Sequence, residues 1–363
     1  RRPRGLQHLS MYRALGDAFD AYGDWDEDDI RVRPNPKANK PRSKQRPKHA
    51  DAVTGRVVTV DRGRYTVLLD EGTPEERTVT AAKAREIGRT AIVTGDLVDI
   101  VGDTTGDAGS LSRIVRICDR KTLLRRSADD TDQVERVIVA NADQMLIVAA
   151  TAQPEPRPRL IEQYLVAALD AGIQPLLVLT KTDVAPADEL RALVEPLGVK
   201  VFESRPGGEP IDELRAALAG HTTVAVGHSG VGKSTLVNAL VPGTLRETGV
   251  VNAVTGRGRH TSSSTLAVRV EDADARAGWI IETPGVRSFG LGHVDRDNVL
   301  RGFTELATIA EECPRGCTHR ADAPDCALDD AVREGALDDA GIARLDSLRR
   351  LFMSLDQAAD AAY

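Results

Sequence analysis

Aromatic residues are scarce, at 3% of 363 positions, although 41% hydrophobic content is enough to build real cores. No apolar run approaches the roughly 20 residues needed to span a bilayer. The start of the sequence lacks the apolar segment of a signal peptide, and Met11 is a candidate natural start. These absences predict a soluble, cytoplasmic protein with no membrane partner. Cysteine is also sparse, with Cys118 alone and Cys313, Cys317 and Cys326 close together. An uneven set of this kind in an intracellular chain points to a metal site over a disulfide framework. The net charge of −7 argues against a protein that coats nucleic acid uniformly, but the charge is segregated.

That segregation marks the first of four regions. Residues 1–50 read as a disordered arm, acidic from Asp17 to Asp29, then basic and proline-rich from Arg31 to Lys48. It serves as an RNA-phosphate tether or as a plain solvated tail. Residues 51–118 carry short β-rich runs at Val53–Val60, Arg64–Leu69, Arg77–Thr80, Leu97–Val101 and Leu111–Ile117. Asp61-Arg62-Gly63 turns the first pair as a hairpin. About five strands over so short a stretch predict an all-β barrel of the OB type. Tyr65 is its only aromatic residue, so RNA binding through backbone and shape suits it better than base stacking.

From 119 to 300 the pattern changes to continuous apolar runs separated by amphipathic helices, as in Arg159–Leu169. The runs are Gln144–Ala150, Pro175–Thr180, Val199–Glu203, Thr223–Val226 and Trp279–Ile281. They predict an α/β domain with a parallel sheet covered on both faces, whose ligands gather at the carboxyl ends of the strands. After the Thr223 run comes Gly227-His228-Ser229-Gly230-Val231-Gly232-Lys233-Ser234, the spacing of a phosphate-binding loop. Its glycines let backbone N–H groups turn toward phosphates, Lys233 reaches the β- and γ-phosphates, and Ser234 ligates Mg²⁺. Thr180-Lys181-Thr182-Asp183 closes an earlier strand. A carboxylate there can accept from both N1–H and the N2 amino group of guanine, and the Lys181 stem can lie across the base. Taken alone, this tetrapeptide also fits the N-cap of the next helix. Ser204, ending the next strand, is placed for a base-contacting loop. Ile281-Glu282-Thr283-Pro284-Gly285 has the form of a γ-phosphate switch in which Gly285 offers its amide, and Thr261 or Ser262 in the loop before it can complete the Mg²⁺ shell.

Residues 301–363 form a small helical region. Cys313, Cys317, His319 and Cys326 supply three thiolates and an imidazole, a closed set suited to one structural, tetrahedral Zn²⁺. Glu311, Glu312, Arg315 and Arg320 around them argue against simple burial of reduced thiols. Ile342, Leu345, Leu348, Leu351, Phe352 and Leu355 recur at helical spacing and are expected to pack on the zinc loops. Arg344, Arg349 and Arg350 lie between them as candidate RNA contacts.

The guanine motif precedes the phosphate loop, the reverse of ordinary GTPases. This order, with G-H-S-G-V-G-K-S, G-R-G-R-H-T and T-P-G-V-R-S-F-G-L, resembles the bacterial ribosome small-subunit-dependent GTPase A family over roughly residues 51–355. The resemblance implies a circularly permuted, monomeric GTPase that uses GTP/GDP and Mg²⁺, binds the small (30S) ribosomal subunit and its 16S rRNA, and acts late in subunit maturation. It implies nucleotide contacts from Thr180, Lys181, Asp183, Ser204, Gly227, Ser229, Gly230, Val231, Gly232, Lys233, Ser234, Thr235, Thr261 and Gly285. Val286 stands where Ras-like enzymes place a water-orienting glutamine, which makes His260, beside Lys233, the candidate catalytic residue. Glu282 departs from the family's aspartate. The competing readings are a P-loop ATPase or kinase, and an rRNA-binding scaffold that keeps GTP without hydrolysing it.

Overall fold

The structure, a computed structural model, describes residues 49–127, 135–241, 265–283, 291 and 294–360. The arm up to Lys48 and the predicted residues His260, Thr261, Ser262, Gly285 and Val286 lie outside the described residues.

Five strands close the barrel: β1 (Val53–Asp61), β2 (Arg64–Leu69), β3 (Arg77–Lys83), β4 (Leu97–Gly102) and β5 (Ser112–Ile117). The turn between β1 and β2 holds Arg62 and Gly63 at φ 44° and 81°, the left-handed pair that a two-residue hairpin requires. β1–β2, β2–β3 and β4–β5 pair antiparallel, β3–β5 pair parallel, and β1–β4 close the ring. Val57, Val67, Leu69, Val98, Ile100 and Ile114 alternate inward and are fully buried. Tyr65 joins that core, where burial raises its phenol pKa, so the barrel's one aromatic ring is no stacking platform.

A hairpin of β6 (Leu123–Ser127) and β7 (Glu135–Ala140) leads into the second domain. There β8 (Gln144–Ala150), β9 (Gln174–Thr180), β10 (Lys200–Ser204), β11 (Thr222–Val226), β12 (Leu266–Glu271) and β13 (Ala277–Glu282) form one sheet in the order β10-β9-β8-β11-β13-β12. All pairs are parallel except β12–β13. Helices α1 (Pro158–Asp170) and α2 (Asp188–Val194) cover one face, and α3 (Ile211–Leu218) and α4 (Lys233–Leu240) the other. This two-sided cover is why Leu146–Val148 and Leu176–Leu179 read as unbroken apolar runs. From β8 the chain steps outward to β9 and β10, then returns to the other side of β8 as β11. The strand order therefore reverses between β8 and β11, which opens a crevice at their carboxyl ends.

Barrel and sheet are continuous through Thr59 on β1 and Leu266 on β12. Trp279 on β13 lies between the guanidiniums of Arg56 and Arg269, 5.6 and 5.3 Å from its ring, and its indole N–H donates to Glu71 at 2.6 Å.

Helices α5 (Arg296–Arg301), α6 (Thr304–Ala310), α7 (Ala327–Arg333) and α8 (Asp339–Asp360) complete the chain. The predicted apolar stripe lies on α8, and its main seat is α1, where it joins the core of the second domain. Buried Glu162 on α1 pairs with Arg350 and accepts from Ser354 Oγ at 2.8 Å. The three arginines predicted to face RNA are engaged within the chain, Arg344 with Glu305, Arg349 with Asp329 and Arg350 with Glu162. Among the described residues no helix is long and apolar enough to cross a membrane.

Candidate nucleotide site and cysteine cluster

The phosphate loop leaves β11 at the crevice. A Cβ on Gly227 would lie 2.4 Å from the Val148 carbonyl oxygen, so only glycine lets the loop pass so close to β8. Gly230 and Gly232 hold φ 84° and 92°, and Gly232 is the N-cap of α4. These constraints turn the loop directly into a helix start whose free N–H groups suit an anion. Val231 is buried beneath the loop, whereas Ser229, Gly230, Ser234 and Thr235 are exposed.

Two side chains of the first turn of α4 reach across to the end of β13. Lys233 Nζ donates to the Thr283 carbonyl at 3.1 Å, and Ser234 Oγ donates to Glu282 Oε1 at 2.9 Å. Desolvation pulls the Lys233 pKa down, and the Glu282 charge opposes that shift. Thr283 is itself buried and anchored, its hydroxyl donating to Ala225 O at 3.0 Å. The sequence reading assigned Thr283 no role. Its only signal was its place between Glu282 and Pro284.

The guanine motif is stitched to the same loop. Thr180 Oγ1 donates to Val231 O at 2.6 Å, and Lys181 Nζ donates to Gly230 O at 3.0 Å and contacts Gln153 O. Lys181 holds φ 59°, which turns the chain sharply as it leaves β9. Asp183 is exposed, and α2 begins beyond it with Ala187 as a cap that makes no side-chain hydrogen bond. The N-cap explanation of the motif therefore fails. Thr182 N donates to Ser204 O at 3.4 Å, while the Ser204 side chain is buried. Thr180, Lys181, Asp183, Ser204 and the loop from Gly227 to Thr235 thus meet along one sheet edge.

The cysteine cluster lies between α6 and α7. The ligand atoms of Cys313, Cys317, His319 and Cys326 are all within 4.8 Å of one another. Cys313 Sγ is 3.6 Å from His319 Nδ1 and 4.0 Å from Cys326 Sγ, and Cys326 Sγ is 3.9 Å from that nitrogen. A tetrahedron with Zn–S bonds of about 2.3 Å has edges of about 3.8 Å, so the donor set fits zinc. Burial pushes the Cys326 thiol up to about 11, a shift that a cation beside it reverses. His319 and Asp325 hold φ 54° and 53° and Gly316 holds 78°, which wraps the ligands around one point. Arg349 Nε donates to His319 O at 3.1 Å and buttresses the imidazole ligand. Sequence pattern concealed that role, because Arg349 reads as one of several surface cations.

Residues 117–292 match the RsgA GTPase family. A small ribosomal subunit biogenesis GTPase RsgA from Pseudomonas aeruginosa (strain LESB58) is 40% identical over 255 residues, covering 68% of this chain and 72% of that protein. Its namesake from Pseudomonas syringae pv. syringae (strain B728a) is 40% identical over 275 residues, covering 74% and 76%. The fold is similar to that of YjeQ from Thermotoga maritima, at TM-score 0.59 and 24% identity, covering 84% of this chain and 98% of that one. It is also similar to YloQ, described as a circularly permuted GTPase, at TM-score 0.59 and 21% identity, covering 86% and 98%.

Proposed function

The chain belongs to the RsgA GTPase family and is a GTP hydrolase, and we propose that it acts on the small (30S) ribosomal subunit late in its maturation, with nucleotide state controlling release. The observation that carries this reading is the joining of base reader to phosphate loop. Thr180 and Lys181 bond to the carbonyls of Val231 and Gly230, so guanine recognition at Asp183 is held in register with phosphate binding. An adenine ring offers Asp183 no paired donors, so ATP is disfavoured by hydrogen bonds left unmade.

Phosphoryl transfer to water asks the protein chiefly for positioning and charge stabilisation. Lys233 supplies a cation that is already partly desolvated, which strengthens its pull on phosphate oxygens. The N–H groups of Ser229 to Thr235 would hold the β- and γ-phosphates, and the γ-phosphate contact is assigned to the Gly285 amide. Ser234, with Thr261 or Ser262, would hold Mg²⁺, which would neutralise phosphate charge when bound. Val286 cannot orient water, so that task would fall to His260. The zinc set of Cys313, Cys317, His319 and Cys326 is structural, since it has no open position for chemistry.

The route from nucleotide to subunit runs along β13, which ends at Glu282 beside the phosphate loop and carries Trp279 against the barrel. Thr94 in the barrel donates to Thr265 O at 3.2 Å, at the start of β12. β12, which follows the Thr261 loop, and β13, which leads into Gly285, therefore both touch the barrel, which supports its use as the 16S rRNA-binding element. The protein works as a cytoplasmic monomer. Single-turnover GTP hydrolysis with and without purified small subunits tests the reading. Stimulation by the subunit is expected, and its absence would overturn the assignment.

A further inference from the structure

We propose that Glu282 binds the divalent cation of the nucleotide complex directly, taking a coordination position that a shorter carboxylate leaves to water. The inference rests on the GTPase reading above and concerns this chain's own departure at that position. The backbone of Glu282 is fixed from both sides, paired with Ala225 on β11 and with Leu266 on β12. How far its carboxylate projects is therefore set by side-chain length and not by strand drift. With glutamate, Oε1 arrives 2.9 Å from Ser234 Oγ, in contact with the hydroxyl expected to hold the cation. Aspartate on the same backbone would stop about 1.5 Å short, one C–C bond, and could reach the cation only through a bound water.

The spacing also suits the ion. Two neighbouring ligands on an octahedral Mg²⁺ with bonds of about 2.0–2.1 Å lie about 2.9 Å apart. The Ser234 and Glu282 oxygens already have that separation, and oxygen donors are what a hard cation prefers. Lys233, the charged neighbour whose field Glu282 feels, donates its ammonium hydrogen bond to Thr283 O, which leaves the Glu282 carboxylate bonded to Ser234. One water fewer and one anion more on the cation should tighten cation binding.

The test uses the full-length protein with GDP and Mn²⁺ in place of Mg²⁺. Electron paramagnetic resonance in ¹⁷O-water counts the water ligands on manganese. The wild type is expected to hold one water fewer than Glu282→Asp, with Mn²⁺ binding to the GDP complex at least ~10-fold tighter than in Glu282→Gln. Equal water counts in wild type and Glu282→Asp would overturn the inference. A second measurement uses wild type alone, so poor folding of a variant cannot spare the proposal. Protein carrying ¹³C-carboxyl glutamate should show a manganese–carbon hyperfine coupling, and its absence would equally overturn direct ligation. Manganese that fails to bind, or binds without regard to GDP, would overturn the nucleotide reading and this inference with it.

Discussion

The nucleotide edge and the cysteine cluster are held together in opposite ways. The first gathers residues from Thr180 to Thr283 at the ends of neighbouring strands of one sheet, and its members bond to one another across the crevice. The second draws all its ligands from residues 313–326, with exposed Arg315, Gly316, Thr318 and Asp325 between them. Only Cys326 among the ligands is buried. A site carried by a sheet has its shape before any ligand arrives. A site built in a loop relies on its ion for that shape. Glutamate at 282 belongs with the first kind, because the fixed strand lets one methylene decide what the carboxylate touches.

Four experiments press on this contrast, in order of expected effect. Lys233→Ala should slow single-turnover GTP hydrolysis by about 10²–10³-fold with zinc content unchanged, since one charged contact to the transferred group is lost from an intact scaffold. Stripping zinc, by chelation or Cys317→Ser, should lower stability in thermal or urea unfolding by about 3–5 kcal/mol. GDP affinity should meanwhile stay within about 3-fold. A parallel collapse of GDP binding would show that the two sites are not independent. Asp183→Asn should weaken GDP by about 2–3 kcal/mol in a binding titration and leave the melting temperature unmoved, because Asp183 is exposed and caps no helix.

The smallest effect concerns the core shared by both regions, one buried cluster that includes Tyr164, Cys326 and Phe352. Burial raises the Tyr164 pKa from 10.0 to about 12. Below pH 10 both folded and unfolded chains keep the phenol proton. Between about 10 and 12 the unfolded chain loses it first, so stability falls as pH rises, by about 1 kcal/mol at pH 11. Urea midpoints from pH 9.5 to 11 should show that decline, and Tyr164→Phe should remove this contribution.

Much of this was legible in the sequence, for identifiable reasons. The barrel strands are short β-rich runs joined by a two-residue turn, and the phosphate loop and cysteine spacing are local patterns whose chemistry depends on few neighbours. The family's permuted order could be read from motif order alone. What escaped the sequence reading depends on distant partners. The β6–β7 hairpin and β12 were not anticipated, because Arg125 and Arg269 interrupt short runs and the pairing partners lie far along the chain. The α8 stripe was visible, but not that α1 is its seat. Arg349 and Arg350 read as surface charge because nothing near them in sequence announces His319 or Glu162. Lys181 reaching Gly230 needs β9, β8 and β11 side by side, which only the sheet order supplies.

The most direct test compares the affinity of purified small subunits for the protein loaded with a non-hydrolysable GTP analogue and with GDP. If β13 conveys nucleotide state to the barrel, the GTP-analogue form should bind at least ~10-fold more tightly, about 1.4 kcal/mol. Equal affinities would contradict it, because a ligand that favours neither state shifts nothing.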